Sequence, residues 1–383
     1  MNALSCLRLG LLACVACGGE PAPVPAVARS SAAPIPDSGA VQEDRSATGS
    51  TSAADGGPPA TTGPFELTFK SLALPGATAP ASIDYVAFEP AHARVWVPVG
   101  GAGSVDVYDT ASGTFTSVGG FKTAEHELKG QKRTTGPSAV AVGDGIAYVG
   151  NRAISEVCAV DTGTLKIGTC SKLQSSTDGV AYVASAKEVW VTTPRDRSIA
   201  VLDASRPGAL KVKVTVKLDG KPEGYATDPS RGLFFTNLED KNQTVVIDVP
   251  THVPKATWSL DCGADGPRGI AADGGRGFVF VACTDHLVVL DGTHGGAKLA
   301  EVDTGPGVDN IDWLQSKRLL FAAAGKAAKV TVARIDDKGQ PTVVATGATT
   351  AGARNGVADS IGNLYVPDPV NARLLVFERA AAP

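Results

Sequence analysis

The sequence predicts an all-β fold, and three observations predict it. Glycine (44) and proline (25) are abundant in the 383 residues, a composition of many turns. The apolar runs between those turns are short and rich in valine. Most telling, one pattern recurs: PSAVAVGDGIAYV, TDGVAYVASAKEVWV, PEGYATDPSRGLFF, PRGIAADGGRGFVF, VDNIDWLQSKRLLF and ARNGVADSIGNLYV. Each copy reads as a strand of small residues, a tight polar turn and a bulkier strand. The equivalent positions Ala139, Gly179, Gly224, Gly269, Ile311 and Gly356 are 40, 45, 45, 42 and 45 residues apart. A seventh copy, IDYVAFEPAHARVWV, begins at Ile83. Such a period, with four strands per unit, is the signature of β-propeller blades, so a seven-bladed β-propeller is expected.

The elements follow in chain order. Arg8 precedes the apolar run Leu9 to Ala16, and small residues come next. That is a secretory signal, too short to span a bilayer. It resembles the lipobox of bacterial lipoproteins, with Cys17 the expected acylated residue and Cys14 the alternative. Residues 1–17 are therefore read as the signal. Residues 18–64, almost wholly Ala, Pro, Ser, Thr, Gly and Asp, are read as a disordered tether, because they bury too little apolar surface to offset ordering entropy. The propeller is expected over residues 65–379.

Third strands repeat as SVDVYD, EVCAVD, SIAVLD, TVVID and HLVVLD. Their terminal aspartates, Asp109, Asp161, Asp203, Asp248 and Asp291, are expected to accept hydrogen bonds from the following backbone and hold the hairpin to a fourth strand. The last copy has only three strands. A spare strand, FELTFKSLAL (Phe65 to Leu74), precedes the first, and adding it beside Leu374 to Phe377 would close the ring and cover two sheet edges. Trp96, Trp190, Trp258 and Trp313 fall on strands and are expected to pack between blades.

The final copy resembles an NHL repeat at Gly356, Val357, Ala358, Asp359, Gly362, Asn363, Tyr365, Val366, Asp368, Asn371, Arg373 and Phe377. The upstream copies resemble the YVTN-type repeats of bacterial surface and secreted propellers. The resemblance implies the propeller fold and leaves function open, because such folds host enzymes, adhesins and scaffolds.

Beyond the signal region lie Cys158, Cys170, Cys262 and Cys283. Export permits disulfides, and the pairs 158 with 170 and 262 with 283 are expected, with buried free thiols as the alternative. A formal charge of −4 offers no basic footprint for nucleic acid.

The residue just before each innermost strand can point at one mouth of the central channel. These are Asp84, Ser138, Asp178, Glu223, Arg268, Asn310 and Asn355, all polar. Asp309 and Arg354 stand behind two of them, and neighbouring loops add Arg152, Arg195, Glu239 and Asp240. The ring suits a small polar ligand or a protein partner. It also resembles the Glu, Asn and Asp set of regucalcin and gluconolactonase-like propellers. That resemblance implies a divalent cation such as calcium on Asp178, Glu223, Asn310 and Asn355, and lactone hydrolysis. Without it, no cofactor is expected.

A long excursion between the first two blades carries Lys122, His126, Lys129, Lys132 and Arg133 and reads as a lid, a recognition loop or a solvated loop. Nucleophile-elbow, phosphate-loop, kinase and HExxH patterns are absent. The expected protein is thus an exported, lipid-anchored, monomeric binding module facing periplasm or cell exterior, touching membrane only through its anchor. A metal-dependent hydrolase and a structural scaffold are the alternatives.

Overall fold

The structure, a computed structural model, describes residues 64–128, 131–206 and 209–378. The signal segment, the tether up to residue 63, and Cys14 and Cys17 lie outside the described residues. Among the described residues, seven four-stranded antiparallel units form a seven-bladed β-propeller. Blade four shows the pattern: Pro222–Asp228 is innermost, followed outward by Leu233–Leu238, Gln243–Asp248 and Val253–Ser259. The other innermost strands are Ala87–Glu89, Pro137–Gly143, Val180–Val183, Pro267–Asp273, Val308–Leu314 and Val357–Ala358.

Small residues dominate the inner strands because backbones crowd near the axis. A Cβ added at Gly224 would lie 2.4 Å from the Arg268 carbonyl oxygen, and one at Gly269 would lie 2.6 Å from the Cα of Asn310. Outward the blades widen, and the core splits into wedges. Among the described residues, seven hydrophobic clusters lie one at each blade interface. Trp96, Trp190, Trp258 and Trp313 each fill such a wedge, as expected. Trp96 Nε1 donates to Glu89 Oε2 at 2.9 Å and Trp190 Nε1 to Glu188 Oε2 at 3.0 Å, so neither buried indole N–H is left without an acceptor.

The third-to-fourth strand pairing slips by a bulge in blades two to six, at Cys158/Val160, Val201/Leu202, Val246/Ile247, Val289/Leu290 and Val332/Ala333. A bulge bends the outer strand and adds twist, which fans each blade away from its neighbour. The five turn aspartates accept backbone N–H groups two or three residues on, for example from Ala111 and Ser112 at Asp109 and from Thr293 and His294 at Asp291. These bonds favour the charged carboxylate, and Asp291 is lowered to about 2, chiefly by its bond from the Thr293 hydroxyl.

Closure follows the expected route with one correction. Lys70–Ala73 pairs antiparallel with Arg373–Phe377 and supplies the fourth strand of blade seven. The expected single strand from Phe65 to Leu74 is instead two. Phe65–Leu67 pairs in parallel with Ala345 to Gly347 and becomes a fifth strand on blade six. The chain breaks there because Leu67 seats in the wedge between blades six and seven, where Phe69 also packs, 5.4 Å from Phe377. Blade one also departs from its pattern. Its first residues leave the sheet, and Tyr85 bridges in parallel to Ala139 of blade two.

Both expected disulfides are present. Cys158–Cys170 ties the outer hairpin of blade two, and Cys262–Cys283 ties the loop leaving blade four to blade five. The excursion between blades one and two is a hairpin, Ala124–Leu128 with Gln131–Thr135, rooted where Gly136 packs against the backbone of Gly100.

Candidate functional site at the channel mouth

Of the seven ring positions, Asp84, Asp178 and Asn355 precede their inner strands as expected, whereas Ser138, Glu223, Arg268 and Asn310 lie within the first residues of theirs, and charged side chains link five of the seven in two arcs. Arg152, just after the second strand of blade two, reaches across its own blade. Its Nη2 lies 2.8 Å from Asp84 Oδ2 and also bonds Asp178 Oδ1, while its Nε donates to the Thr177 carbonyl at 3.3 Å. Asn355 Nδ2 donates to Asp84 Oδ1 at 2.8 Å and to Asp309 Oδ2 at 3.2 Å. Arg354 Nε donates to the same Asp309 oxygen at 2.7 Å. One network, Asp178 to Arg152 to Asp84 to Asn355 to Asp309 to Arg354, therefore spans blades three, two, one, seven and six.

Arg268 serves the remaining arc. Its Nη1 lies 2.5 Å from Glu239 Oε2 and 3.8 Å from Glu223 Oε1, joining blades five and four. Asn310 lies half-buried beside it, its Cα close against Gly269. Ser138 is buried, and its carbonyl accepts from the Tyr85 N–H at 3.0 Å. Two loop residues stay out of the ring: Arg195 is exposed, and Asp240 instead accepts from the Lys221 N–H at 2.7 Å.

Five carboxylates, Asp84, Asp178, Glu223, Glu239 and Asp309, thus face three guanidiniums, Arg152, Arg268 and Arg354. Burial raises Asp84, Asp178 and Glu223, and mutual repulsion adds to it. Arg152 pulls Asp84 and Asp178 back, yet Asp178 still reaches about 7. Burial opposes the charge on Arg152, but Asp84 and Asp178 outweigh it and hold the guanidinium charged.

Two residues of the site escaped sequence reasoning. Tyr85 and Tyr225, from the opposed blades one and four, meet at 5.7 Å between ring centroids. Tyr85 is buried, and burial followed by Glu223, Asp178 and Asp84 drives its hydroxyl pKa well up. The signal for both was available: Tyr85 follows Asp84, and Tyr225 stands two residues beyond Glu223 on the same inner strand.

Among the described residues, three acidic or sulfur ligand atoms come within 4.8 Å of one another only at Glu156, Cys158 and Cys170, where both sulfurs are in a disulfide. Each acidic residue proposed as a metal ligand at the mouth already faces a guanidinium, Asp178 that of Arg152 and Glu223 that of Arg268.

No family model and no curated protein matches the chain. Solved structures do match. A chain of a mitotic checkpoint complex aligns with a TM-score of 0.67 at 13% identity, over 87% of this chain and 98% of that one. Hydrazine synthase of Kuenenia stuttgartiensis aligns at 0.66 and 15%, over 85% and 100%. Streptogramin B lyase aligns at 0.62 and 13%, over 82% and 97%. The chain has a seven-bladed β-propeller fold. At these identities the likeness concerns fold alone.

Proposed function

We propose that this β-propeller is an exported, lipid-anchored module that recognises a protein or a small polar ligand at its channel mouth without catalysing a reaction. One observation carries the reading: polar residues from blades one, two, three, six and seven join in one charged network, and Arg268 pairs with Glu223 across blades five and four. Loops gathered on a rigid scaffold are where binding residues concentrate.

Export rests on the leader and is supported by the two disulfides, which persist in oxidising compartments. Among the described residues no helix is long and apolar enough to cross a membrane. A repeat of the NHL and YVTN type is supported by blade seven. There Asp359 accepts from the N–H groups of Ile361, Gly362 and Asn363 and from the Tyr365 hydroxyl, so the motif residues act together as one turn clamp.

The metal-dependent hydrolase reading has less support, because a dication on Asp178, Glu223, Asn310 and Asn355 would sit beside the guanidiniums of Arg152 and Arg268. Scaffolding would leave the ring without a task.

Capture of partners from an extract by the wild-type chain and by Arg268→Ala tests the proposal. Loss or weakening of a partner in the variant is expected, and identical partners and affinities would refute recognition through this mouth. For the anchor, mass spectrometry of the protein isolated from membranes should find acylated Cys17, or Cys14; an unmodified N-terminus within the tether would exclude it.

A further inference from the structure

We propose that the mouth takes a primary ammonium group, such as a lysine side chain presented by a partner. This deepens the recognition reading and rests on it. The first ground is charge: five carboxylates face three guanidiniums and the Lys221 ammonium, 3.8 Å from Glu239, which leaves one negative charge uncompensated when all are ionised. The fold already seats its own cations here, with the Arg152 guanidinium between Asp84 and Asp178.

The second ground is independent of charge. Asn355 Oδ1 and Asp178 Oδ2 are buried without a hydrogen-bond partner, as are the hydroxyls of Ser138 and Thr177. Asn355 and Ser138 are each 2% exposed and Thr177 1%. A buried acceptor left unpaired costs about 1–3 kcal/mol, so such atoms mark places where a donor belongs. Asn355 lies in the mouth, because its Nδ2 donates to both Asp84 and Asp309. The other Asp178 oxygen is held by Arg152 within the same network. A carboxylate oxygen, an amide oxygen and a hydroxyl oxygen are what an ammonium group, with three N–H donors and no acceptor, can use.

The chemistry fits an organic cation better than a bare metal ion. An ammonium carries half the charge of a dication, so neighbouring guanidiniums repel it less, and its three N–H groups can use single oxygens, whereas a dication needs several carboxylate oxygens drawn together. Its binding also has a built-in pH signature. A cation favours ionised carboxylates, so it binds with proton release and more tightly as pH rises from 6 to 8, the range in which Asp178 titrates.

Calorimetric titration of the propeller with Nα-acetyl-lysine amide, its neutral norleucine analogue and calcium chloride tests the assignment. Saturable binding of the lysine probe alone, tightening with pH, is expected. Glu223→Gln should weaken it by about tenfold, the loss of one of the carboxylate charges at the mouth, while raising the melting temperature of the free protein. That opposed pair of effects separates a ligand contact from a structural one. Equal binding of the norleucine probe, no saturation, an unchanged affinity in Glu223→Gln, or displacement of the amine by calcium overturns the ammonium assignment. Recognition itself survives if Arg268→Ala still loses a partner that the lysine probe fails to displace. It falls, with this inference, if neither ring variant alters any binding.

Discussion

Glu223 and Arg152 sit in the same ring and predict opposite outcomes. Glu223 has one guanidinium at 3.8 Å and several carboxylates for company, and burial followed by Asp178 and Asp309 holds its pKa well above normal. Replacing it with glutamine removes repulsion, so Glu223→Gln should raise the melting temperature at pH 8 by about 2 °C and change little at pH 4, read by scanning calorimetry. Arg152 is the reverse case, since it alone faces both Asp84 and Asp178. Arg152→Ala strands two partly buried carboxylates and should cost about 3 kcal/mol in denaturant unfolding. A loss below about 0.5 kcal/mol would mean that the network contributes little to folding. Leu67, at 3% exposure, and Phe65, at 48%, are two residues apart on one strand. Leu67→Ala should cost about 2–4 kcal/mol and Phe65→Ala less than about 0.5 kcal/mol in the same measurement.

At the scale of elements, closure depends on one short segment that fastens two blades. Lys70–Ala73 covers the outer edge of Arg373–Phe377, and Phe65–Leu67 covers that of Pro341–Ala348. A chain beginning at residue 75 would expose both edges, and an uncovered strand edge invites pairing with another chain. Light scattering should therefore find dimers or larger species where the longer chain is monodisperse. The disulfides act on other elements. Cys158–Cys170 closes 12 residues within blade two, and Cys262–Cys283 closes 21 between blades four and five. In the chain-entropy account each contributes about 3 kcal/mol. Serine pairs at either bridge should lower denaturant midpoints accordingly, and a midpoint unchanged by reduction would contradict it.

For the whole molecule, two sets of carboxylates set the pH range. The turn aspartates are lowered by hydrogen bonds, Asp291 to about 2, so their stabilisation is present above about pH 4 and is lost as pH falls towards 2. Asp178 is raised by burial to about 7, and Asp84 and Glu223 are raised with it. Their folded state is most favoured below about pH 4, and that advantage is lost as pH rises through 7. Opposed slopes give a stability maximum in mildly acidic solution. Melting temperatures from pH 3 to 9 should trace that bell, and Glu223→Gln should flatten its alkaline limb. A curve rising steadily to pH 9 would mean that the mouth does not carry these raised groups.

The sequence by itself determined the blade number, the closing role of the N-terminal strand in blade seven and the turn aspartates, while the choice between paired and free cysteines fell to the tertiary structure. Each of the first three follows from a local pattern repeated at fixed spacing, and repetition turns local preference into architecture. The sequence also named Asp84, Asp178, Glu223, Arg268 and Asn355, which the charged network joins, because they recur at the start of the inner-strand pattern in their blades. Only the tertiary structure decided who pairs with whom. Arg152 reaches past its own blade to Asp84 and Asp178, and Asn355 meets Asp84 from 271 residues away. The split of the N-terminal strand and the meeting of Tyr85 with Tyr225 were decided there too. Contacts across a closed ring depend on side-chain reach and on the space left at the axis, and neither is written in any local run of residues.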